Sequence, residues 1–323
     1  VSLGVLMLYV SSNQSDIIQD QISKLNQTYR GQIQVGDTEF SVFGSFPYVS
    51  IKVYDVHVYE TKGKNAAELL NVKDIYVGFN LWDIAKGNYD IQSLFIEEGD
   101  INIVFHKDDT NNLHNAFADK SVAATDSSAQ ATNVHLKKIK FKNIQIHAFD
   151  ERSNVSIETF IKTAKGGFKQ GDDLLASHVD TEFELSLLKE SDTTFVKKKH
   201  IEIHTDISFD QKTGILNIAP SAIRLENGDF EFGGSIDFKN DINLDISAKG
   251  TKPNFDLLTA FAPQELNNVL DKYKNAGEIY FNVAIKGPVG SGKSPHIDAN
   301  FGADKAFLEN TSRGKKIDEM GFS

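Results

Sequence analysis

The chain has 323 residues, of which 40% are hydrophobic, and this is enough for a buried core in one large domain or two ordinary ones. The formal net charge of −11 argues against a protein that binds nucleic acid or an anionic membrane surface, since both require clustered lysine and arginine. The sequence has no cysteine, which excludes disulfides, thiolate catalysis and zinc sites built on cysteine.

The first residues, Val1 to Val10, are apolar and uncharged, but a membrane-spanning helix needs about 20 such residues. Since the sequence opens on valine, we interpret residues 1–12 as part of a membrane anchor that begins upstream. A secretory signal segment is the alternative, although no small-x-small cleavage site follows. Lys316 to Ser323 follow a strand-like pattern, so we also expect the chain to continue beyond them.

A helical pattern follows the anchor segment. Apolar residues recur at helical spacing between Ser15 and Arg30, which predicts a helix with one apolar face. They are Ile18, Ile22, Leu25 and Tyr29. The helix either packs on a sheet or lies on a membrane surface, and the scarcity of lysine and arginine on its polar face favours packing. It opens a β module that we place at residues 13–117.

The rest of this first module alternates apolar and polar residues, as half-buried strands do. The predicted elements are strands over Gln32–Val35, Thr38–Phe43, Ile51–Tyr59 and Leu69–Asn80, a helical turn over Leu81–Gly87, and strands over Asp90–Glu97 and Asp100–His106. Gly87 suits a helix C-terminus, and Glu98-Gly99 is predicted as the turn between the last two strands.

Residues 118–133 are small, polar and aperiodic, and we interpret them as a linker or long loop. Strands resume at Val134 and predict a second β module over residues 134–323. Their alternation changes phase at Lys142-Asn143, which indicates a bulge or a tight turn. A helical pattern from Asn254 to Asn275, divided by Pro263, interrupts this module.

The strands of the second module carry large apolar residues at every second position, so one face of the sheet is apolar and the other polar. The residues assigned to the apolar face are Ile201, Ile203, Ile207, Phe209, Phe230, Phe232, Ile236, Phe238, Ile242, Leu244, Ile246, Ile279, Phe281, Val283 and Ile285. The predicted helices are too few to cover this face, so a second sheet or an apolar ligand must cover it.

Several motifs occur in a characteristic order. Phe46-Pro47 precedes a strand, Leu-Trp-Asp-Ile begins at Leu81, and Ile-Gln-Ser-Leu-Phe-Ile-Glu-Glu-Gly-Asp-Ile-Asn-Ile begins at Ile91. Phe-Asp-Leu-Leu at Phe255 then precedes Gly-Glu-Ile-Tyr-Phe-Asn-Val-Ala-Ile-Lys-Gly at Gly277 and Ser-Pro-His-Ile-Asp-Ala-Asn-Phe at Ser294. In this order they resemble the AsmA family, bacterial envelope proteins related to TamB and to the chorein-type bridge-like lipid transfer proteins. Asp108-Asp109-Thr110-Asn111-Asn112 stands where that family has an Asp-Gly-x-x-Asn turn, here without the glycine.

The resemblance implies a mostly β fold, with a long curved antiparallel sheet that forms an apolar groove, an N-terminal anchor helix and a few short helices. It implies a non-enzymatic protein with a single-pass anchor in the inner membrane and its body in the periplasm. Such a protein binds the acyl chains of membrane phospholipid in the groove and supports lipid transport and outer-membrane biogenesis. An outer-membrane or envelope protein is an expected partner, whereas no cofactor, metal or nucleic acid is expected. The alternatives are a periplasmic β-sandwich scaffold or adhesion module and, as an enzyme, a P-loop nucleotidase.

The enzymatic alternative depends on Gly287-Pro288-Val289-Gly290-Ser291-Gly292-Lys293-Ser294, a formal match to the P-loop pattern. A P-loop needs a helix after it, whose N-terminus binds the phosphates. Pro295 disfavours helical geometry at Ser294, and His296 to Phe301 alternate as a strand. We therefore favour a hairpin loop, in which Lys293 is an inert surface residue.

The remaining polar candidates have simpler interpretations. On a strand, His200 and His204 share the polar face about 13 Å apart, too far to bind one metal ion. We interpret them as solvated histidines, and Lys197-Lys198-Lys199 as a solvated turn. Glu97-Glu98 and Asp172-Asp173 have no histidine or basic residue nearby in sequence, so we interpret them as surface charge and not as catalytic pairs.

Overall fold

A computed structural model describes residues 3–41, 48–63, 66–86, 88, 90–108, 110–118, 136–171, 173–189, 197–239, 242–252, 257, 260, 272–289 and 295–322. Its elements are α1 (Leu3–Thr28), β1 (Gln32–Gln34), β2 (Thr38–Ser41), β3 (Tyr48–Tyr59), β4 (Glu68–Asn80), α2 (Leu81–Ala85), β5 (Ile91–Phe105), α3 (Asn112–Phe117), β6 (Lys138–Asp150), β7 (Val155–Gln170), β8 (Leu174–Lys189), β9 (Lys199–Asp210), β10 (Ile215–Leu225), β11 (Gly228–Asp237), β12 (Ile242–Lys252), β13 (Tyr273–Val289), β14 (His296–Asn310) and β15 (Lys315–Phe322). The predicted mostly β class is confirmed.

The chain divides into two compact units, Val1–Lys165 and Gly166–Ser323. In the first, the strands follow the order β1-β3-β4-β5-β6-β7, with β2 also paired to β3. In the second, β8 to β15 lie in chain order. Apart from the parallel pair β5–β6, neighbouring strands whose registers are described pair antiparallel. The predicted linker, 118–133, lies outside the described residues after Ala118.

The N-terminal helix is continuous through the predicted anchor segment and the predicted helix after it. Val10, Ile17 and Ile18 of α1 are buried against the apolar face of β3 and β4, in one cluster with Ile51 and Phe79. The prediction that this helix packs on the first sheet is thus confirmed. Within the described part of the chain, none of the helices combines the length and the apolar content needed to cross a bilayer.

A row of left-handed residues crosses the first unit. Asp55, Glu98 and Asn143 have left-handed backbone conformations, with φ of 49°, 56° and 54°. The residues after them, Val56, Gly99 and Ile144, share one row with Val72 of β4. The strands nevertheless keep their registers across this row. The phase change at Lys142-Asn143, predicted to be a bulge or a tight turn, is a left-handed residue within β6, which pairs with β5 in the same register on both sides of Asn143.

The turn predicted at Glu98-Gly99 is wrong, because β5 runs unbroken from Ile91 to Phe105. Both halves of β5 pair with β4, from Phe79↔Ile91 to Leu70↔Ile101. The left-handed Glu98 interrupts the apolar pattern at the place where a turn was expected. A Cβ at Gly99 would lie 2.5 Å from the Asn71 carbonyl oxygen, so this row also requires a glycine.

The connection from β5 to the parallel strand β6 contains α3. Asn111 caps that helix by accepting a hydrogen bond from the His114 N–H at 2.7 Å. The buried Asn112 accepts from the Val104 N–H at 2.9 Å and donates to the Asn102 carbonyl oxygen at 2.8 Å. The asparagine that ends the Asp108–Asn112 motif thus fixes the end of β5.

Candidate functional site

The registers of the second unit bring the predicted apolar residues onto one face of its sheet. Side chains of directly paired residues point to the same side of a sheet. One row contains Ile246, Ile285 and Ile297 of neighbouring strands, and the next contains Phe232, Ala248, Val283 and Ala299. A third contains Ile203, Ile223 and Phe230. We call this surface the apolar face.

The opposite side of the same strands, the polar face, carries ion pairs between neighbouring strands. Lys249 Nζ lies 3.0 Å from Glu231 Oε1, and Lys286 Nζ lies 3.2 Å from Asp245 Oδ1. A depression of about 570 Å³ on this side is lined by Glu231, Asp245, Lys249 and Asp298, among others. Because charged groups surround it, this depression does not suit an acyl chain.

One end of the apolar face is covered by the protein itself. Phe230 packs with Leu257 and Ala260, the described residues of the predicted helical segment 254–275. Ile201, Phe230 and Ile279 are only 8%, 6% and 1% exposed. Phe230 therefore belongs to a local core, and the predicted site residues Ile201 and Ile279 are buried as well.

The other end of the apolar face is open to solvent. Phe238 is 46% exposed and Ile242 is 42% exposed. Phe301 of β14, which is 50% exposed, lies in a different row, paired with Phe281. Phe209 and Phe238 meet edge to face, with ring centroids 6.4 Å apart. Contiguous exposed apolar surface of this kind is unusual in soluble proteins and marks a site that binds another molecule.

Two polar residues within the apolar face, Thr205 and Ser221, form a hydrogen bond with each other. The Ser221 hydroxyl lies 2.8 Å from Thr205 Oγ1 and 2.6 Å from the Ala219 carbonyl oxygen. Thr205 is 6% exposed, so without such contacts its hydroxyl would carry a desolvation cost. The face therefore presents no unpaired hydroxyl at this place.

The prediction that Lys197-Lys198-Lys199 form a solvated turn is wrong for Lys199. Lys197 and Lys198 are exposed as predicted, but Lys199 is only 7% exposed. It lies two residues before Ile201 and pairs with Leu185, which places it at the covered end of the apolar face. Burial lowers its pKa, and Glu226 opposes this shift. Sequence composition alone could not show that one lysine of three turns inward.

The sequence analysis missed strand β10. Leu216, Ile218, Ile223 and Leu225 lie on the apolar face, but their spacing changes from even to odd positions. The register shifts between Ile218 and Ser221, around Ala219 and Pro220. A bulge is one place where a sheet tolerates proline, so Pro220 was the signal that could have revealed this strand. Ile297 and Phe301 of β14 were also omitted from the predicted site.

The two histidines considered for metal binding lie on β9 and have different partners. His204 Nδ1 lies 2.7 Å from Asp180 Oδ1. His200 Nε2 instead lies 3.2 Å from Glu202 Oε1 and 3.6 Å from Glu182 Oε1. On the next row, a hydrogen bond that His178 donates to Asp206 and the charge of Asp180 raise the pKa of His178. His200 and His204 therefore do not share a site, as predicted.

The segment that matches the P-loop pattern connects two antiparallel strands. β13 ends at Val289, β14 begins at His296, and Lys286 pairs with His296 across the connection. A strand thus follows the motif where a P-loop requires a helix. Lys293 and Ser294 lie outside the described residues.

Of the acidic residues interpreted as surface charge, Glu97, Glu98 and Asp173 form ion pairs. Glu97 contacts Lys142, and Glu98 Oε2 lies 2.9 Å from Lys73 Nζ. Asp173 Oδ2 lies 2.5 Å from Lys212 Nζ, while Asp172 lies outside the described residues. The hydrogen bond from Lys73 lowers the pKa of Glu98. A carboxylate stabilised in its ionised form is a poor general acid.

A comparison with known protein families and with curated proteins finds no match. The resemblance to the AsmA family therefore rests on the residues quoted above and stays a prediction.

Proposed function

We propose that this chain is an AsmA-like envelope protein whose apolar face binds lipid acyl chains, in support of phospholipid transport and outer-membrane biogenesis. The observation that carries the proposal is the open end of the apolar face, where Phe238 is 46% exposed and Ile242 is 42% exposed. That this face forms a groove, and that the protein has a periplasmic body with an inner-membrane anchor, are parts of the same proposal.

The energetics favour a ligand with a long hydrocarbon chain. Each methylene removed from water contributes about 0.8 kcal/mol, so a chain that crosses several strands gains more than a compact ligand does. From β9 to β14 the apolar face crosses five inter-strand spacings of about 4.8 Å, or roughly 24 Å. The backbone groups of the paired strands bond one another, so the hydrocarbon meets side chains and not free donors.

The middle of the apolar face suits a sliding chain. Val283 is paired with Ala248 on one side and with Ala299 on the other, so this row is shallow and uncharged. A charged group in such a row would impose a desolvation barrier on a hydrocarbon chain that passes it. The charged side chains of the same strands, such as Lys249 and Lys286, lie on the polar face.

The test is Val283→Glu, with Asn282→Glu as its control. The two residues are adjacent on β13, but Asn282 is exposed on the polar face. On an open face the Val283→Glu carboxylate stays hydrated, so we expect a folded variant that loses copurified phospholipid in native mass spectrometry. The Asn282→Glu variant should retain its lipid.

A photo-crosslinking residue in place of Phe301 separates lipid binding from the alternatives. The proposal expects phospholipid adducts in cells. Protein adducts alone, together with an unfolded Val283→Glu variant, would instead support a β-sandwich scaffold whose apolar face is closed. Saturable ATP binding that Lys293→Ala abolishes would favour the P-loop enzyme and contradict the proposal.

A further inference from the structure

Strands β8 and β9 of the second unit carry a ladder of acidic and histidine side chains on the polar face. Its rows pair Glu184 with His200, Glu182 with Glu202, Asp180 with His204, and His178 with Asp206. The row of Glu182 and Glu202 places two carboxylates directly opposite each other, and like charges in this position are destabilising. A cation between them would remove that repulsion.

The side chain of His200 reaches this row. Its Nε2 atom lies 3.6 Å from Glu182 Oε1 and 3.2 Å from Glu202 Oε1. The three groups offer ligand atoms that all lie within 4.8 Å of one another. Ligands about 2.1 Å from a tetrahedral ion stand roughly 3.4 Å apart, so the observed separations fit one ion with little movement.

Neighbouring residues hold these groups in place. The His200 backbone N–H donates to Glu226 Oε1 at 2.8 Å. The second oxygen of Glu202, Oε2, lies 3.7 Å from Arg224 Nη1, while Arg224 Nε contacts Asp229 at 3.2 Å. Outer contacts that orient a carboxylate typically raise metal affinity. The three side chains are only 25% to 34% exposed, so an ion among them would be partly shielded from water.

We propose that Glu182, His200 and Glu202 bind a divalent transition-metal ion of the Zn²⁺ type. One imidazole with two carboxylates suits Zn²⁺ or a similar ion, whereas Ca²⁺ and Mg²⁺ prefer oxygen ligands alone. The three ligands leave a fourth position for water or another donor. The ion would join β8 to β9 on the polar face, so this site is independent of lipid binding on the apolar face.

The adjacent row provides a matched control. His204 belongs to the same strand and also contacts a carboxylate, Asp180, at 2.7 Å. Its side chain is 63% exposed, compared with 34% for His200. If histidine content alone attracted the ion, replacing either histidine would weaken binding equally.

The experiment is a calorimetric titration of chelator-treated protein with Zn²⁺ at about pH 7.5, where histidine is neutral. We expect saturable binding that His200→Ala weakens at least about tenfold and His204→Ala leaves unchanged. Glu202→Gln, which keeps the shape of the side chain, should also weaken binding, and circular dichroism checks that each variant is folded. As a second readout, Zn²⁺ should raise the thermal unfolding midpoint of the wild type but not of His200→Ala.

Three outcomes would overturn the proposal. The first is the absence of saturable Zn²⁺ binding by the folded wild type. The second is an equal loss of affinity in His200→Ala and His204→Ala. The third is Mg²⁺ binding as tight as Zn²⁺ binding and insensitive to His200→Ala, which would indicate a non-specific acidic surface.

Discussion

The two units use the same alternation of apolar and polar residues, but their apolar faces are covered differently. In the first unit, Ile51 and Phe79 are fully buried beneath α1. In the second, the segment that contains Leu257 and Ala260 covers one end of the face, while Phe238 and Ile242 are more than 40% exposed. Alternation thus shows that a face is apolar, but it does not show what covers that face.

The difference originates outside the strands. The helix α1 presents Val10, Ile17 and Ile18 on one side, at the spacing needed to cover β3 and β4. The helix thus covers the apolar face of β3 and β4, whereas Phe238 and Ile242 of the second unit are exposed to solvent. The following predictions test this contrast, from the largest expected effect to the smallest.

The covered face should not tolerate a charge. We expect Ile51→Glu to destabilise the first unit by more than about 4 kcal/mol, because it buries an unpaired carboxylate. Urea unfolding followed by the fluorescence of Trp82, the single tryptophan, reports on this unit. Val283→Glu is the matched variant on the open face. Its unfolding is followed by circular dichroism, because Trp82 lies in the first unit, and should occur near the wild-type midpoint. Equal destabilisation of the two variants would show that both faces are closed.

Residues with positive φ occur within strands of both units. Asp55, Glu98 and Asn143 are such residues in the first unit, whereas in β11 of the second unit the residue is a glycine, Gly234, with φ of 143°. A Cβ there would lie 2.0 Å from the Asp245 carbonyl oxygen. We expect Gly234→Ala to cost about 3 kcal/mol of unfolding free energy in urea denaturation.

Gly167 is the control for that substitution. It lies in β7, and a Cβ built on it would have no neighbour within 4 Å. Gly167→Ala should therefore leave the unfolding midpoint close to that of the wild type. If the two alanine variants had the same stability, the close approach of β11 to β12 at Gly234 would not be a constraint.

The sequence predicts most of this fold because a period of two is a direct consequence of strand geometry. It also predicts the interruption at Asn143 and the strand after Pro295. It fails where a left-handed residue inside a strand resembles a turn, as at Glu98, or where a bulge disrupts a strand pattern, as at Pro220 in β10. It also fails where the pairing of neighbouring strands decides the surroundings of a residue: His200 lies between two glutamates only because β8 pairs with β9 in this register.

Lys199 provides the smallest and last test, because it places a charge at the covered end of an otherwise apolar face. Burial lowers the pKa of Lys199 in the folded protein below the ordinary lysine value of 10.5. Between these two pKa values the unfolded chain binds more protons than the folded one, so the free energy of unfolding should rise with pH. Lys199→Met removes the buried charge and should stabilise the second unit by on the order of 1 kcal/mol at neutral pH. Urea midpoints measured from pH 7 upward should show the advantage of the variant shrinking as the pH approaches 10.5. Lys197→Met, at an exposed position, should show no such trend, and a parallel trend in both variants would mean that Lys199 is hydrated in the folded protein.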